Sequence, residues 1–236
     1  MQLPFFYISQ YTPGENNIVL DENNSRHVVQ VLRMQTGAAL HLTDGKGHLL
    51  TATIADPHKK HCSVTITDTV FSSPRHPRIT IAISLLKNTN RFEWFLEKAT
   101  EIGVAAIIPL ISERTEKDRA KTERLQQILI SALLQSRQVW LPQMPEPLKY
   151  ADFIKDRGFY SIPRKFIAHC LEDEKYSLKE QQIDADSIIL IGPEGDFTTE
   201  EIGAAMANGY QPVTLGSTRL RTETAGVVAA TLLCVR

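Results

Sequence analysis

The sequence predicts two domains: a small β-barrel over residues 1–72, then an α/β domain with a mainly parallel sheet over residues 73–236. Three observations predict this. Short runs rich in β-branched residues, alternating polar with apolar, fill the first part of the chain. A proline-containing break follows them. Beyond it, strand-length apolar runs alternate with segments of helical period, the signature of a parallel sheet with crossover helices.

In the first part, Asn17 to Leu20 is a short apolar run. Ala39 to Thr43, Leu49 to Ile54 and Cys62 to Thr67 alternate like half-buried strands. Asp44-Gly45-Lys46-Gly47, between two of these runs, is a hairpin turn signal. One helix is expected among the strands, capped by Ser25, with Val28, Val31 and Leu32 on its inner face and its end near Gly37. Several short strands and one helix in so short a stretch suggest a small barrel. Ser72-Ser73-Pro74-Arg75-His76-Pro77 breaks both periods and marks the linker.

After the linker, Ile79 to Leu86 reads as a buried strand. Arg91 to Ile102 reads as a helix with Phe92, Phe95, Leu96, Ala99 and Ile102 as its apolar stripe and Gly103 as its stop. Ala105 to Ile111 is a strand, and Thr122 to Trp140 a long helix followed by Pro142 and Pro145. Phe166 to His169 and Ile188 to Ile191 are strands. Thr199 to Asn208 is a helix capped by Thr198 or Thr199 and stopped by Gly209. Val213 to Leu215 is a strand, and Thr222 to Cys234 the final helix.

Composition removes several function classes. The chain is 42% apolar with 26 basic and 27 acidic side chains, an ordinary globular mix. No apolar run approaches the roughly 20 residues that span a bilayer, so no membrane partner is expected. The opening Met1 to Tyr7 lacks the pattern of a signal peptide, and a cytoplasmic location is expected. Cys62, Cys170 and Cys234 are far apart and form no Cys-x-x-Cys, and His-Glu-x-x-His is absent, so no metal is expected. The net charge of −1 is neutral on nucleic acid. Phosphate binding needs only a local basic patch. Such clusters occur at Arg26-His27 with Arg33, His58-Lys59-Lys60-His61, Arg75-His76 with Arg78, and Arg114 through Lys121. Each alone also reads as a solvated face.

In open α/β sheets, ligands bind where strands end and helices begin. Two loops fit that position. Ile191-Gly192-Pro193-Glu194-Gly195-Asp196-Phe197 leaves an apolar strand, and its glycines let the backbone approach a ligand closely. The second loop, Leu215-Gly216-Ser217-Thr218-Arg219-Leu220-Arg221-Thr222, leaves a strand and enters a helix. Thr222 and Glu223 suit that helix start, where free N–H groups accept carbonyls or anions. There is no phosphate loop, no Gly-x-Gly-x-x-Gly after an early strand and no Gly-x-Ser-x-Gly elbow. Any ligand is therefore held largely by backbone groups, which suits a nucleoside such as adenosine.

Five segments carry a resemblance that covers the whole chain. They are Arg26-His27 with Val31-Leu32-Arg33; Arg91-x-Glu93-Trp94 with Leu96 to Gly103; Ser112-Glu113-Arg114; Ile191 to Gly195; and Leu220-Arg221-Thr222-Glu223-Thr224-Ala225. On these, the chain resembles the uridine-N3-specific ribosomal RNA small subunit methyltransferase E family of the SPOUT superfamily. The resemblance implies an N-terminal PUA-like barrel and a C-terminal α/β SPOUT domain whose end forms a deep trefoil knot. It implies a homodimer using S-adenosyl-L-methionine on 16S ribosomal RNA or the small ribosomal subunit. The cofactor positions it implies are His169, Ile191, Gly192, Pro193, Glu194, Gly195, Leu215, Gly216, Leu220, Arg221, Thr222, Glu223, Thr224 and Ala225. The sequence departs from the family pattern at Asp196, often glycine; at Leu134, often acidic; and at Thr218, often arginine, with Arg219 beside it.

N3 of uracil carries a proton and is a poor nucleophile until that proton leaves. Glu223 is the candidate base. Arg221, Arg91 and Lys87 are candidates to stabilise the uracil anion. Arg26, Arg33, Lys59, Lys60, Lys87 and Arg114 are candidate RNA contacts. Other readings stay open: Glu223 as a helix-start anion only, Glu93, Glu97 and Glu101 as a solvated helix face, a SPOUT methyltransferase acting on transfer RNA or a ribose 2′-hydroxyl, or a non-catalytic RNA-binding protein of ribosome assembly.

Overall fold

The computed structural model describes residues 3 to 235. Met1, Gln2 and Arg236, at the ends of the two expected domains, lie outside the described residues. Two compact units form. The first takes the chain up to Pro74 together with Leu133–Leu141; the second takes Arg75–Ala132 and Pro142 onward.

The first unit is a five-stranded sheet with one short helix. Its elements are β1 (Phe5–Tyr7), β2 (Asn17–Val19), α1 (Glu22–Arg26), β3 (Ala39–Thr43), β4 (His48–Asp56) and β5 (Ser63–Phe71). The order is β1-β3-β4-β5-β2, antiparallel except for β1 on β3. Register shifts in the β4–β5 pair at Thr51/Ala52 and Ile54/Asp56 mark bulges, which bend and twist a sheet. One face holds a core of Phe6, Leu20, Val28, Leu40, Leu42, Leu50, Ile54 and Val64.

The helix differs from its expectation. Asp21, not Ser25, is the cap, its Oδ1 accepting from the Asn24 N–H at 2.8 Å. Ser25 is buried inside α1; its hydroxyl donates to Leu20 O and accepts from Cys62 N–H. His27–Val31 then widens into a π-turn, with Leu32 N–H donating to His27 O. The extra residue in that turn rotates the face. Val28 stays buried, whereas Val31 is 66% and Leu32 41% exposed. The helix ends there, well before Gly37.

The second unit holds β6 (Ile79–Ser84), α2 (Thr89–Ile102), β7 (Ala106–Ile111), α3 (Thr122–Gln135), β8 (Leu148–Lys149), α4 (Tyr150–Phe153), α5 (Arg157–Tyr160), β9 (Arg164–Ala168), β10 (Tyr176–Ser177), β11 (Ser187–Ile191), α6 (Thr199–Ala207), β12 (Gln211–Thr214) and α7 (Thr222–Cys234), the last turn of α3 passing into the first unit. The sheet runs β10-β12-β9-β11-β6-β7-β8, and every pair is parallel. All strands therefore end on the same edge. α2 starts two residues earlier than expected, with the Asn88 side chain accepting from Asn90 N–H. Thr100, not Ile102, completes its buried face, its hydroxyl bonded back to Leu96 O. Gly103 ends it at φ +96°. Thr198 caps α6 in a reciprocal box with Glu201.

α3 stops at Gln135 rather than running to Trp140. Gln138 N–H donates to Leu133 O and Arg137 N–H to Leu134 O, the two bonds that close a helix with a left-handed residue. Arg137 takes that conformation, φ +55°, where glycine is usual. The chain beyond pairs with the turn at Asp44 to Gly47: Gly47 N–H donates to Val139 O and Leu141 N–H to Gly45 O. A Cβ on Gly47 would lie 2.7 Å from Trp140, so this turn requires glycine for docking as well as for φ.

α7 packs against α2, β6 and β11. At its centre a Cβ on Gly226 would meet the Phe95 ring at 2.6 Å and Ile83 at 2.9 Å. Gly226→Ala is expected to cost about 1–3 kcal/mol through overpacking. Thermal or urea unfolding checks this; unchanged stability would mean that the two helices are further apart.

Candidate active site

The strand-ending edge of the second unit carries a cavity of about 690 Å³, a normal size for a small-molecule site. It opens at the ends of β9, β11 and β12, with the N-terminus of α7 on one side.

The loop leaving β11 is tightly folded. A Cβ on Gly192 would lie 3.0 Å from Phe197 N and 3.1 Å from its ring. Asp196 N–H donates to Pro193 O and closes a turn. Asp196 itself is left-handed, φ +63°, a conformation aspartate tolerates better than most residues. Its carboxylate accepts from Phe197 N–H at 2.8 Å and from Cys170 N–H at 2.7 Å. The departure from the common glycine therefore keeps the backbone shape and ties the loop to the end of β9. Arg114 Nη1 donates to Gly195 O at 2.8 Å, and Glu201 accepts from Glu113 N–H, so the segment after β7 braces the same loop.

The loop leaving β12 is more open. Gly216 sits at φ +149° with nothing near a would-be Cβ. The Thr214 hydroxyl donates to its carbonyl. The Arg221 side chain makes no capping hydrogen bond to α7, and the first-turn N–H groups of a helix suit a ligand carbonyl or anion.

Of the positions singled out in the sequence, His169, Ile191, Gly192, Pro193, Glu194, Leu215, Gly216, Leu220, Arg221, Thr222 and Ala225 line this one cavity. Pro193 and Thr222, from different loops, thus share a wall. Gly195, Glu223 and Thr224 do not line it. Glu223 is buried, 7% exposed, with Oε2 lacking a partner among the described residues and Oε1 3.6 Å from Arg91 Nε. Two residues predicted to act together are thus adjacent.

Sequence reasoning missed Cys170, Lys175 and Thr214, which also line the cavity, as do Asp196 and Ser217 to Arg219 from the two predicted loops. Cys170 and Lys175 follow β9, and only the sheet order reveals that β9 lies between the two glycine loops.

Among the candidate RNA contacts, Lys87 is exposed and paired with Glu116 at 2.6 Å, which raises its pKa. Arg26, Arg33, Lys59 and Lys60 are exposed in the first unit, Arg26 pairing with Glu22 at 2.9 Å. Burial of His169, reinforced by Lys175, pushes its pKa down. Among the described residues no cluster of His, Cys, Asp or Glu is placed to hold a metal ion, and no helix is long and apolar enough to cross a membrane.

The residues fit an adenosine-type cofactor. The cavity has main-chain donors at one end, a glycine cradle at the other, and orphaned polar atoms on His169 inside it. Comparison with known proteins agrees. A family model described as an RNA methyltransferase domain matches residues 73–234, and one described as an RNA methyltransferase PUA domain matches residues 20–67. The ribosomal RNA small subunit methyltransferase E of Synechocystis is 32% identical over 91% of this chain and 72% of its own length. A crystal structure of a probable rRNA methyltransferase from Porphyromonas gingivalis superposes with a TM-score of 0.89 at 37% identity, covering 98% of both chains. The Neisseria gonorrhoeae methyltransferase E, bound to S-adenosyl methionine, superposes with a TM-score of 0.84 at 30% identity over 98% of this chain and 96% of that one. With a family model spanning most of its length and a relative above 30% identity along nearly all of it, the chain belongs to the ribosomal RNA small subunit methyltransferase E family.

Proposed function

We propose that this protein transfers a methyl group from S-adenosylmethionine to N3 of a uridine in 16S ribosomal RNA. The chain is an S-adenosylmethionine-dependent rRNA methyltransferase by family; the N3 position is the finer reading. The observation that carries it is the single cavity joining the Gly192 loop to the start of α7, with the Arg91–Glu223 pair at that helix start.

When bound there, the cofactor supplies an electrophilic methyl group. Main-chain groups of Gly192 to Glu194 and of Leu215 to Thr222 hold the nucleoside. Glu223, buried beside Arg91 outside the cavity wall, is the base in this reading and turns toward the cavity to take the N3 proton of the target uracil. Arg91 and Arg221 stabilise the anion that remains. Arg114 and Lys87, on the strand-ending edge, and Arg26, Arg33, Lys59 and Lys60, on the barrel, contact phosphates. Residues 1–72 act as the RNA-gripping PUA-like domain and residues 73–236 as the methyltransferase domain. The C-terminal knot, a homodimer and a cytoplasmic location belong to the same reading. The packing of α7 against α2, β6 and β11 supports the knot; exposed Trp94 on α2 and Val235 just after α7 support the dimer.

The test is to incubate the protein with S-adenosylmethionine and unmodified 16S rRNA or small subunits, digest the RNA, and identify the methylated nucleoside by mass spectrometry. 3-Methyluridine is expected. A methyl group on a ribose 2′-hydroxyl or on another base would overturn the N3 reading. RNA affinity is expected to fall by at least about tenfold between low and moderate salt, because each phosphate contact releases a counterion.

A further inference from the structure

The Glu201 carboxylate does more than cap a helix. Its Oε2 accepts from Thr198 N–H at 3.0 Å, which closes the reciprocal cap of α6. Its Oε1 accepts at 2.9 Å from Glu113 N–H, 88 residues away on the segment that leaves β7. Capping does not need that second bond. Glu201 is buried, and α6 follows the β11 loop, so the bond pins the β7 segment to the base of that loop. The segment is also fixed at its root. The Ser112 hydroxyl lies 3.0 Å from that of Ser84 and 2.8 Å from that of Thr115, and Thr115 N–H donates to Ser112 O.

Arg114 is the next residue on this pinned backbone. Its Nη1 donates to Gly195 O at 2.8 Å, and its Cβ and Cδ stand 3.5 Å from where a Cβ on Gly195 would be. Gly195 O belongs to the peptide unit whose N–H, that of Asp196, donates to Pro193 O and closes the turn. A peptide unit is planar, so holding its carbonyl fixes the direction of its N–H. Gly192, Pro193 and Glu194 line the cavity, whereas Gly195 and Arg114 do not. Arg114 therefore acts on the cavity from outside its wall, through the peptide that sets the turn. A guanidinium has five N–H donors, so this bond leaves others for a phosphate. Arg114 is exposed, and an exposed side chain adds little to global stability.

We propose that Arg114 is a positioning residue for the cofactor: seated by the Glu201 carboxylate, it holds the Gly195 carbonyl and so presets the Gly192–Glu194 turn that grips the nucleoside. The inference deepens the cofactor reading above and rests on it. It is distinct from a phosphate contact, because it operates with no RNA present. The physical cause is preorganisation: a turn that the ligand itself must order binds that ligand more weakly. Charge alone gives the opposite sign. S-Adenosylmethionine carries a net positive charge, so removing a cation near its site would by itself strengthen binding. A loss of affinity on removing Arg114 therefore reads the loop and not the field.

Calorimetric titration of S-adenosylmethionine and S-adenosylhomocysteine into RNA-free protein tests this, on wild type, Arg114→Ala, Glu201→Ala and the double variant. Thermal unfolding and amide exchange of the ligand-free proteins accompany it. Arg114→Ala is expected to bind both ligands about three- to tenfold more weakly, since they share the nucleoside. Its melting midpoint is expected to stay within about 2 °C of wild type. Its Asp196 N–H is expected to exchange faster than in wild type, because the turn opens more often. Glu201→Ala is expected to melt lower and to bind more weakly. The double variant is expected to lose less than the product of the two single losses, because Glu201 acts through Arg114. Full cofactor affinity in Arg114→Ala, with only RNA binding weakened, would make Arg114 a phosphate contact and overturn the proposal. So would a loss confined to one ligand, unchanged exchange at Asp196, or a full product of losses in the double variant. If Glu201→Ala fails to fold, Arg114→Ala decides alone. Failure of wild type to bind either ligand would instead remove the cofactor reading, and this inference with it.

Discussion

Replacing Glu223 with glutamine is expected to lower the rate of methyl transfer by about 100-fold or more while leaving cofactor affinity within about threefold. Glu223 lies in the first turn of α7, 7% exposed, outside the cavity wall. Its Oε2 has no partner among the described residues, and its Oε1 is 3.6 Å from Arg91 Nε. As the base of the proposed mechanism, this carboxylate can accept a proton. Glutamine has nearly the same volume but cannot. The helix loses a favourable anion at its N-terminus, worth about 0.3–1 kcal/mol, so folding survives. Single-turnover rates at saturating cofactor read the effect. An unchanged rate would reduce Glu223 to a structural anion at the helix start.

Gly192→Ala is expected to weaken S-adenosylmethionine binding by about 10- to 100-fold, the affinity equivalent of roughly 1–3 kcal/mol of steric strain. The added methyl would lie 3.0 Å from Phe197 N, 3.1 Å from the Phe197 ring and 3.2 Å from Asp196 Oδ1. Two of these neighbours are fixed. Phe197 is 2% exposed, and the Asp196 carboxylate holds two backbone donors. The strain therefore falls on the turn that presents Pro193 and Glu194 to the cavity. Calorimetry with thermal unfolding separates lost binding from lost folding. Wild-type affinity in Gly192→Ala would show that the ligand is not held by this loop.

Much of the second unit was legible because its punctuation is chemical. Gly103 and Gly209 end helices at positive φ, and Thr198 begins one with a reciprocal cap. The two ligand loops were legible for the same reason, as glycine-bearing turns after apolar strands. What was hidden obeys rules that residue type does not announce. Arg137 closes α3 in a conformation usually left to glycine, so no residue type marks the helix end before Trp140. The π-turn at His27–Val31 shifts the period by one residue and turns Val31 and Leu32 outward. The short elements between Pro142 and Pro163 are too brief to show a period. The cavity wall from Cys170 to Lys175 depends on sheet order, a non-local property, and its residues carry no turn or cap signal of their own.

The most direct measurement is a crystal structure of the protein soaked with S-adenosylmethionine. Density for the adenosine is expected between Gly192–Glu194 and Leu215–Thr222, with main-chain atoms of both loops within hydrogen-bond distance. Density elsewhere on the protein, or a cavity that stays empty at saturating cofactor, would contradict the assignment.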